Sequence, residues 1–201
     1  GLAFSFKLHA AFALPVYLFY YFAKRKFSIL RFAIIPATMV VTSLPLVFWG
    51  RNPFETFVIY SKQTSAWKSM ANGYPSIWLT MFSKGDEAQY EYMAPIAILT
   101  TICVLAAFMV CWYRKKCMPS GRNLLIMTFL LTYSSVFLLP AMHERYGFVY
   151  EICAIMLAVV IPKTIPLAVT LIVISRGTYA SYLFYAPTNY VTMVWLNLFV
   201  Y

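Results

Sequence analysis

Negative charge is what this chain has least of. Six acids stand among 201 residues against sixteen Lys and Arg, and the aspartate at Asp86 is the only one of its kind. That scarcity excludes an Asp-rich metal motif within these residues. Glycine is sparse as well, seven in all, and no group of them forms a phosphate-cradling loop. The cysteines Cys103, Cys111, Cys117 and Cys153 lack metal-ligand spacing. Three of them lie within or at the end of apolar runs, where a small thiol is ordinary packing, and they receive no role. There is no internal repeat and no low-complexity tract.

Also missing is the charge of a soluble domain. Only 11% of residues are charged and 62% are hydrophobic, where ordinary domains run to about a quarter and about half. Most of the eleven prolines sit inside apolar runs, which lipid-embedded helices tolerate better than soluble ones. The composition is that of an all-α polytopic membrane protein. The formal net charge of +10 then reports topology and lipid contact rather than nucleic-acid binding.

Apolar runs can be followed along the chain. The first ends at Lys24-Arg25-Lys26. The next, 32–49, carries Pro36 and Pro45. A third, 92–112, ends in Arg114-Lys115-Lys116, with Arg122 beyond a Pro119-Ser120-Gly121 turn. Runs follow at 123–142, 147–162, 165–185 and 190–201. A helix needs about 20 apolar residues to cross, so about seven spans are expected, with 147–162 short and hence tight or tilted. The positive-inside rule puts the compact basic clusters and Lys163 on the cytoplasmic face. Lys7, His9, the segment 50–90 and the turn 143–146 then fall on the extracytoplasmic face, with five of the six acids (Glu55, Asp86, Glu87, Glu91, Glu144).

The segment 50–90 is more than a connection. Asn52-Pro53-Phe54-Glu55 reads as a helix start, with Asn as N-cap, Pro in the first position and Glu closing a capping box. Phe54, Phe57, Val58 and Ser61 fall on one stripe, which predicts an amphipathic helix on the membrane surface. Asn72-Gly73-Tyr74-Pro75 breaks it. Residues 77–82 are apolar but too short to cross, and suit a re-entrant or interfacial piece. Loops of this size usually cover or build a site.

Between two apolar runs stands His143-Glu144-Arg145-Tyr146. Ionisable groups at membrane depth are costly and so mark candidate sites; the alternative is an interfacial loop whose Arg reaches lipid headgroups. With Met142 before it and Phe148 and Glu151 after it, this turn resembles the signature of bacterial integral-membrane glycosyltransferases of the GT-C type. It is also similar to the His-Glu-Lys turn of lumenal glucosyltransferases of asparagine-linked glycosylation. Lys7-Leu8-His9-Ala10 is similar to that family's Lys-x-Gln-Ala motif, with His9 in place of Gln. Ile59-Tyr60-Ser61-Lys62-Gln63 and Asn72-Gly73-Tyr74-Pro75-Ser76-Ile77-Trp78 resemble its external helix and the stretch after it.

The resemblance covers the later part of the family's architecture, so residues 1–201 are expected to be the C-terminal part of a single transmembrane domain. It implies transfer of a sugar from a polyprenyl- or dolichyl-phosphate donor to a glycan or lipid-linked acceptor, on the outer face of a bacterial plasma membrane more readily than in the endoplasmic reticulum. It also implies an acidic general base on an external loop before Gly1. No cofactor is identified, and no metal-binding residue is assigned. Within the chain, Arg145 offers a fork that matches phosphate oxygens. His143 can donate a hydrogen bond or, if protonated, a charge. Lys7 and His9 are expected at the same depth. Glu144 would orient Arg145 or cap the following helix, with Tyr146 beside it; Glu151 would be neutral or paired with Arg145. Arg176 would pair across the bundle unless the helix breaks at Gly177. Gln63, Trp67, Asn72, Tyr74 and Trp78 are candidate contacts for sugar or acceptor. The alternatives are a lipid or sugar transporter, whose site would lie near the bilayer midplane between repeats, and a non-catalytic membrane subunit whose basic face binds anionic lipid.

Overall fold

A computed structural model describes residues 2–6, 8–24, 28–52, 54–55, 58, 62, 67–85 and 87–201, excepting the side chains of 4, 6, 8 and 9. Among them every regular element is helical. The chain divides into two compact units, Gly1–Trp67 and Lys68–Tyr201.

The first unit holds α1 (Leu2–Phe6), α2 (Leu14–Lys24) and α3 (Ile34–Phe48), with 3-10 turns at Leu8–Ala13 and Ile29–Ala33. α1 packs against α3. Polar side chains inside α3 are satisfied by their own helix: Thr38 donates to the Ile34 carbonyl at 2.6 Å and Ser43 to that of Val40 at 2.7 Å. The outer face, with Val40, Val41, Leu44 and Phe48, can therefore meet lipid without an open hydrogen-bonding group. The expected surface helix falls mostly on residues outside those described, and only contacts at its N-terminal side fall among them. The Asn52 side chain accepts from the Phe54 amide at 2.9 Å, and Arg51 lies 3.9 Å from Glu55.

The second unit is built on α5 (Gly121–Leu138), buried continuously from Leu131 to Leu138. α4 (Tyr90–Arg114) and α6 (Phe148–Val160) flank it, and α7 (Ile165–Phe184) packs on α6. Short turns join α4 to α5 and α6 to α7, so Arg114, Lys115, Lys116, Arg122 and Lys163 gather at one end, all exposed. The turn 143–146 lies at the other end, after the last residue of α5. α8 (Tyr190–Val200) packs against α7 and against a 3-10 turn at Ile77–Thr80.

Among the described residues four helices are long and apolar enough to cross a membrane: Ile29–Phe48, Tyr90–Arg114, Gly121–Leu138 and Pro162–Phe184. The expected run 190–201 behaves differently. Its eleven helical residues reach roughly 17 Å at 1.5 Å per residue, well short of a hydrocarbon core of about 30 Å. Tyr190 near its start accepts from Lys84, while Tyr201 donates to Ser134 near the end of α5. Both ends thus stay at the 143–146 end of the unit, and α8 buttresses the bundle instead of crossing back.

The stretch 68–85 also departs from the expected external loop. It is a strap pressed into the end of the bundle. The Ala141 amide donates to Met70 O at 3.3 Å and the Tyr74 amide to Met142 O at 3.2 Å. The Trp78 indole donates to Leu138 O, the C-cap-side carbonyl of α5, at 2.7 Å. Ser69, Met70, Ala71, Asn72, Tyr74, Ser76 and Trp78 are all buried. The piece expected to be re-entrant or interfacial is this 3-10 turn, packed on Ala94 and Ala97 of α4.

Candidate functional site

The polar groups at this end are placed by three features: the strap, the turn after α5, and the returning helix α7. α5 stops at Leu138, and Ala141 takes the left-handed conformation (φ 60°). A Cβ-bearing residue there costs roughly 1–2 kcal/mol, offset by the two strap hydrogen bonds on either side. The chain then forms a 3-10 turn, Glu144–Gly147, that runs into α6.

Within that turn the side chains separate. Glu144 is turned inward, 3% exposed, with its carboxyl carbon 3.4 Å and its backbone nitrogen 3.6 Å from where a Cβ on Gly73 would stand. Only a glycine permits so close an approach. Arg145 points outward and is exposed. The ion pairs among the described residues are Arg51–Glu55 and Lys68–Glu91, so neither Glu144 nor Glu151 pairs with Arg145. The expectation that Glu144 orients Arg145 or caps α6 is corrected: its carboxylate sits over the strap, and α6 begins without a side-chain cap. His143 is half-buried, its ring edge-on to Tyr146 at 5.4 Å. Burial pushes its pKa below the usual value; Glu144 opposes that shift and Arg145 adds to it. That shift favours the neutral imidazole, which can donate or accept a hydrogen bond. Burial also raises the Tyr146 phenol, against the pull of Arg145, so it stays protonated.

α7 supplies the opposing wall. Tyr179 stands within electrostatic range of Glu151, Glu144 and Arg145, and the Ser175 hydroxyl faces the Glu151 carboxyl. Glu151 forms no ion pair with Arg145 among the described residues. α7 runs unbroken through Arg176-Gly177. Arg176 is exposed on the stripe that carries Val169, Ile172 and Val173, with no ion pair among the described residues, so the expected pairing across the bundle is not formed. Gly177 instead admits α8: a Cβ there would lie 3.0 Å from the Met193 methyl.

The remaining candidates divide. Trp67 is 57% exposed and belongs to the first unit. Lys7, Gln63 and the His9 side chain lie outside the described residues. Tyr74 and Trp78 are corrected from docking rings to core. The Tyr74 hydroxyl is 2.8 Å from that of Tyr150 and accepts from Asn197 Nδ2 at 3.1 Å. Asn197 also donates to Pro75 O at 2.8 Å and accepts from Tyr133 at 2.6 Å. Neither ring has a free face for a sugar. Asn72 is buried, 8% exposed, and its side-chain nitrogen has no hydrogen-bond partner among the described residues.

Sequence reasoning missed Tyr133, Tyr150, Asn197, Ser175 and Tyr179. One signal was available. An asparagine alone in an apolar run is a polar group that must find a partner across helices. Among the described residues no group of three or more His, Cys, Asp or Glu could hold a metal ion. Comparison of the chain with protein-family models, with curated proteins and with solved structures finds no match.

Proposed function

We propose that the chain is part of a membrane glycosyltransferase that takes a sugar from a polyprenyl- or dolichyl-phosphate donor, with the lipid phosphate held at the 143–146 turn on the extracytoplasmic face. The observation that carries this reading is the separation of Glu144 from Arg145. The acid best placed in sequence to neutralise the guanidinium is buried under Gly73, and the guanidinium is exposed without a described ion pair. An unneutralised Arg beside long apolar helices is matched to an anion on an amphiphile. A neutral His143 next to it can donate to a phosphate oxygen. Together they would stabilise the charge that develops on the phosphate as the glycosidic bond breaks.

In this reading the basic end faces the cytoplasm. The shorter helices Ala10–Lys24 and Phe148–Val160 cross as well, tilted or in a thinned bilayer. General base catalysis is assigned to a carboxylate outside these residues.

The test is sugar transfer by the intact protein in membranes from radiolabelled polyprenyl-phosphate sugars. Arg145→Ala and His143→Ala are expected to abolish turnover while leaving membrane insertion unchanged, with Arg145→Lys recovering only a small part because an ammonium lacks the planar fork. Normal turnover in both alanine variants would remove the phosphate clamp. Movement of the lipid across liposomes without consumption of the sugar bond would favour a transporter.

A further inference from the structure

α7 carries a single charged residue, Arg176, the twelfth of its twenty. The side chain is exposed, and among the described residues it has no ion pair, hydrogen bond or ring contact. Around it α7 presents one apolar stripe, formed by Ile165, Val169, Ile172, Val173 and Leu183, all exposed. From Ile165 to Leu183 the stripe runs roughly 27 Å at 1.5 Å per residue, against about 30 Å for a hydrocarbon core. An unneutralised cation inside such a stripe is costly, and membrane proteins pair it.

The sign of the guanidinium sets the charge of the occupant, and depth and direction set its class. The lysine-rich end is too far: Arg176 stands about 17 Å along α7 from Ile165, beyond the reach of one side chain. The outer headgroups are nearer, since Tyr179, one turn on, lies within electrostatic range of Glu144 and Arg145. The side chains of a helix, however, lean toward its N-terminus, which for α7 is the lysine-rich end. The Cα–Cβ bond of Arg176 therefore leans over Ile172 and Val173, away from the outer headgroups and any lipid phosphate among them. A carboxylate on a neighbouring helix suits it, because the planar fork can make two parallel bonds at that depth. The chain's own acids are engaged or lie elsewhere. Glu55 faces Arg51 and Glu91 faces Lys68. Glu144 is buried against Gly73, and the Ser175 hydroxyl faces Glu151. Asp86 and Glu87 precede α4 in the sequence.

We propose that this stripe of α7 is a docking face for a transmembrane helix of another polypeptide, one that carries a carboxylate opposite Arg176. The apolar residues supply packing along the length of the seam, and the ion pair fixes the depth and rotation of the partner. An apolar seam alone discriminates poorly between a protein helix and lipid, so Arg176 is the specificity element. None of these residues belongs to the phosphate clamp, and the inference stands whether or not the donor reading does.

The experiment measures resonance energy transfer between the labelled intact protein and labelled single-span peptides in phosphatidylcholine vesicles. The peptides share a leucine- and alanine-rich sequence and differ at one central position, which is Glu, Gln or Lys. The wild type is expected to bind the Glu peptide on the order of tenfold more tightly than the Gln peptide, the scale of a charge-assisted hydrogen bond. The Lys peptide should bind least. Arg176→Leu keeps the stripe apolar and should bind all three alike, whereas Arg176→Glu should prefer the Lys peptide. Val173→Trp changes no charge and should weaken the Glu peptide by filling the seam. Equal binding of the three peptides by the wild type would overturn the proposal, as would a Glu preference that survives in Arg176→Leu. A preference abolished by phosphatidylglycerol in the vesicles would give Arg176 to a lipid phosphate. Self-association of the protein that is lost in Arg176→Leu would give it to a second copy. Either result overturns a partner helix.

Discussion

Replacing Asn197 by leucine removes the amide that ties the strap to the bundle, and the size of the loss can be worked from its bonds. Asn197 is fully buried. It donates to Pro75 O at 2.8 Å and to the Tyr74 hydroxyl at 3.1 Å, and accepts from Tyr133 at 2.6 Å. Leucine is of similar volume, so cavity effects are small and the loss is polar. Three bonds at roughly 0.6–1 kcal/mol each amount to about 2–3 kcal/mol. Two of the abandoned groups keep partners: Tyr74 has Tyr150 at 2.8 Å, and Tyr133 has the residue-197 carbonyl at 2.9 Å. The Pro75 carbonyl loses its side-chain donor, which adds about 1 kcal/mol. The expected destabilisation is therefore about 3–4 kcal/mol. Tyr150→Phe, by contrast, deletes one bond and leaves Tyr74 held by Asn197, for roughly 1 kcal/mol or less. Equilibrium unfolding in a single detergent, followed by near-ultraviolet circular dichroism, measures both. An Asn197→Leu variant no less stable than Tyr150→Phe would refute the idea that this amide is the centre of the network.

Two further outcomes follow from the same end of the molecule. A Cβ on Gly147 would lie 2.5 Å from Glu151 Oε1 and 2.8 Å from the Tyr150 hydroxyl, which the network fixes. Gly147→Ala should therefore cost roughly 1–3 kcal/mol despite alanine's better helix propensity, and a stabilised variant would contradict the packing described. His143 has a pKa lowered in the fold, so the unfolded chain binds more protons between that value and about 6.5. Stability should accordingly fall as pH is lowered through about 6.5 towards the folded value. His143→Gln should flatten that slope in thermal unfolding from pH 7 to 5, and an unchanged slope would show that the imidazole is not responsible.

How far the sequence carried depended on whether a residue's role is set by its own run or by a distant one. α4 was legible because 25 residues of nearly unbroken apolar character leave few alternatives in any environment. The turn at 143–146 was legible because charged residues interrupt two such runs. What lay across the chain was hidden. Asn72-Gly73-Tyr74-Pro75 carries the composition of an exposed turn, yet Tyr74 and Trp78 are buried because the carbonyls of Leu138 and Met142 and the amide of Asn197 meet them there. Aromatic rings at an interface and aromatic rings in a core look alike until their partners are known. The inward turn of Glu144 was hidden for the same reason. It depends on the missing side chain of Gly73, a residue some seventy positions earlier. α8 misled by its apolarity: eleven residues are too few to cross, and the asparagine within it was the sign that it packs against protein.

The claim on which the account depends is that the guanidinium end of the second unit, and not its lysine-rich end, receives a lipid's anionic head. Photocrosslinking of the intact protein in native membranes with a diazirine-bearing polyprenyl phosphate, followed by peptide mapping, tests it directly. Label is predicted on 143–148 and on the facing part of α7 around Tyr179, and it should be lost in Arg145→Ala. Label concentrated instead around Arg114–Arg122 and Lys163, and indifferent to Arg145, would contradict it.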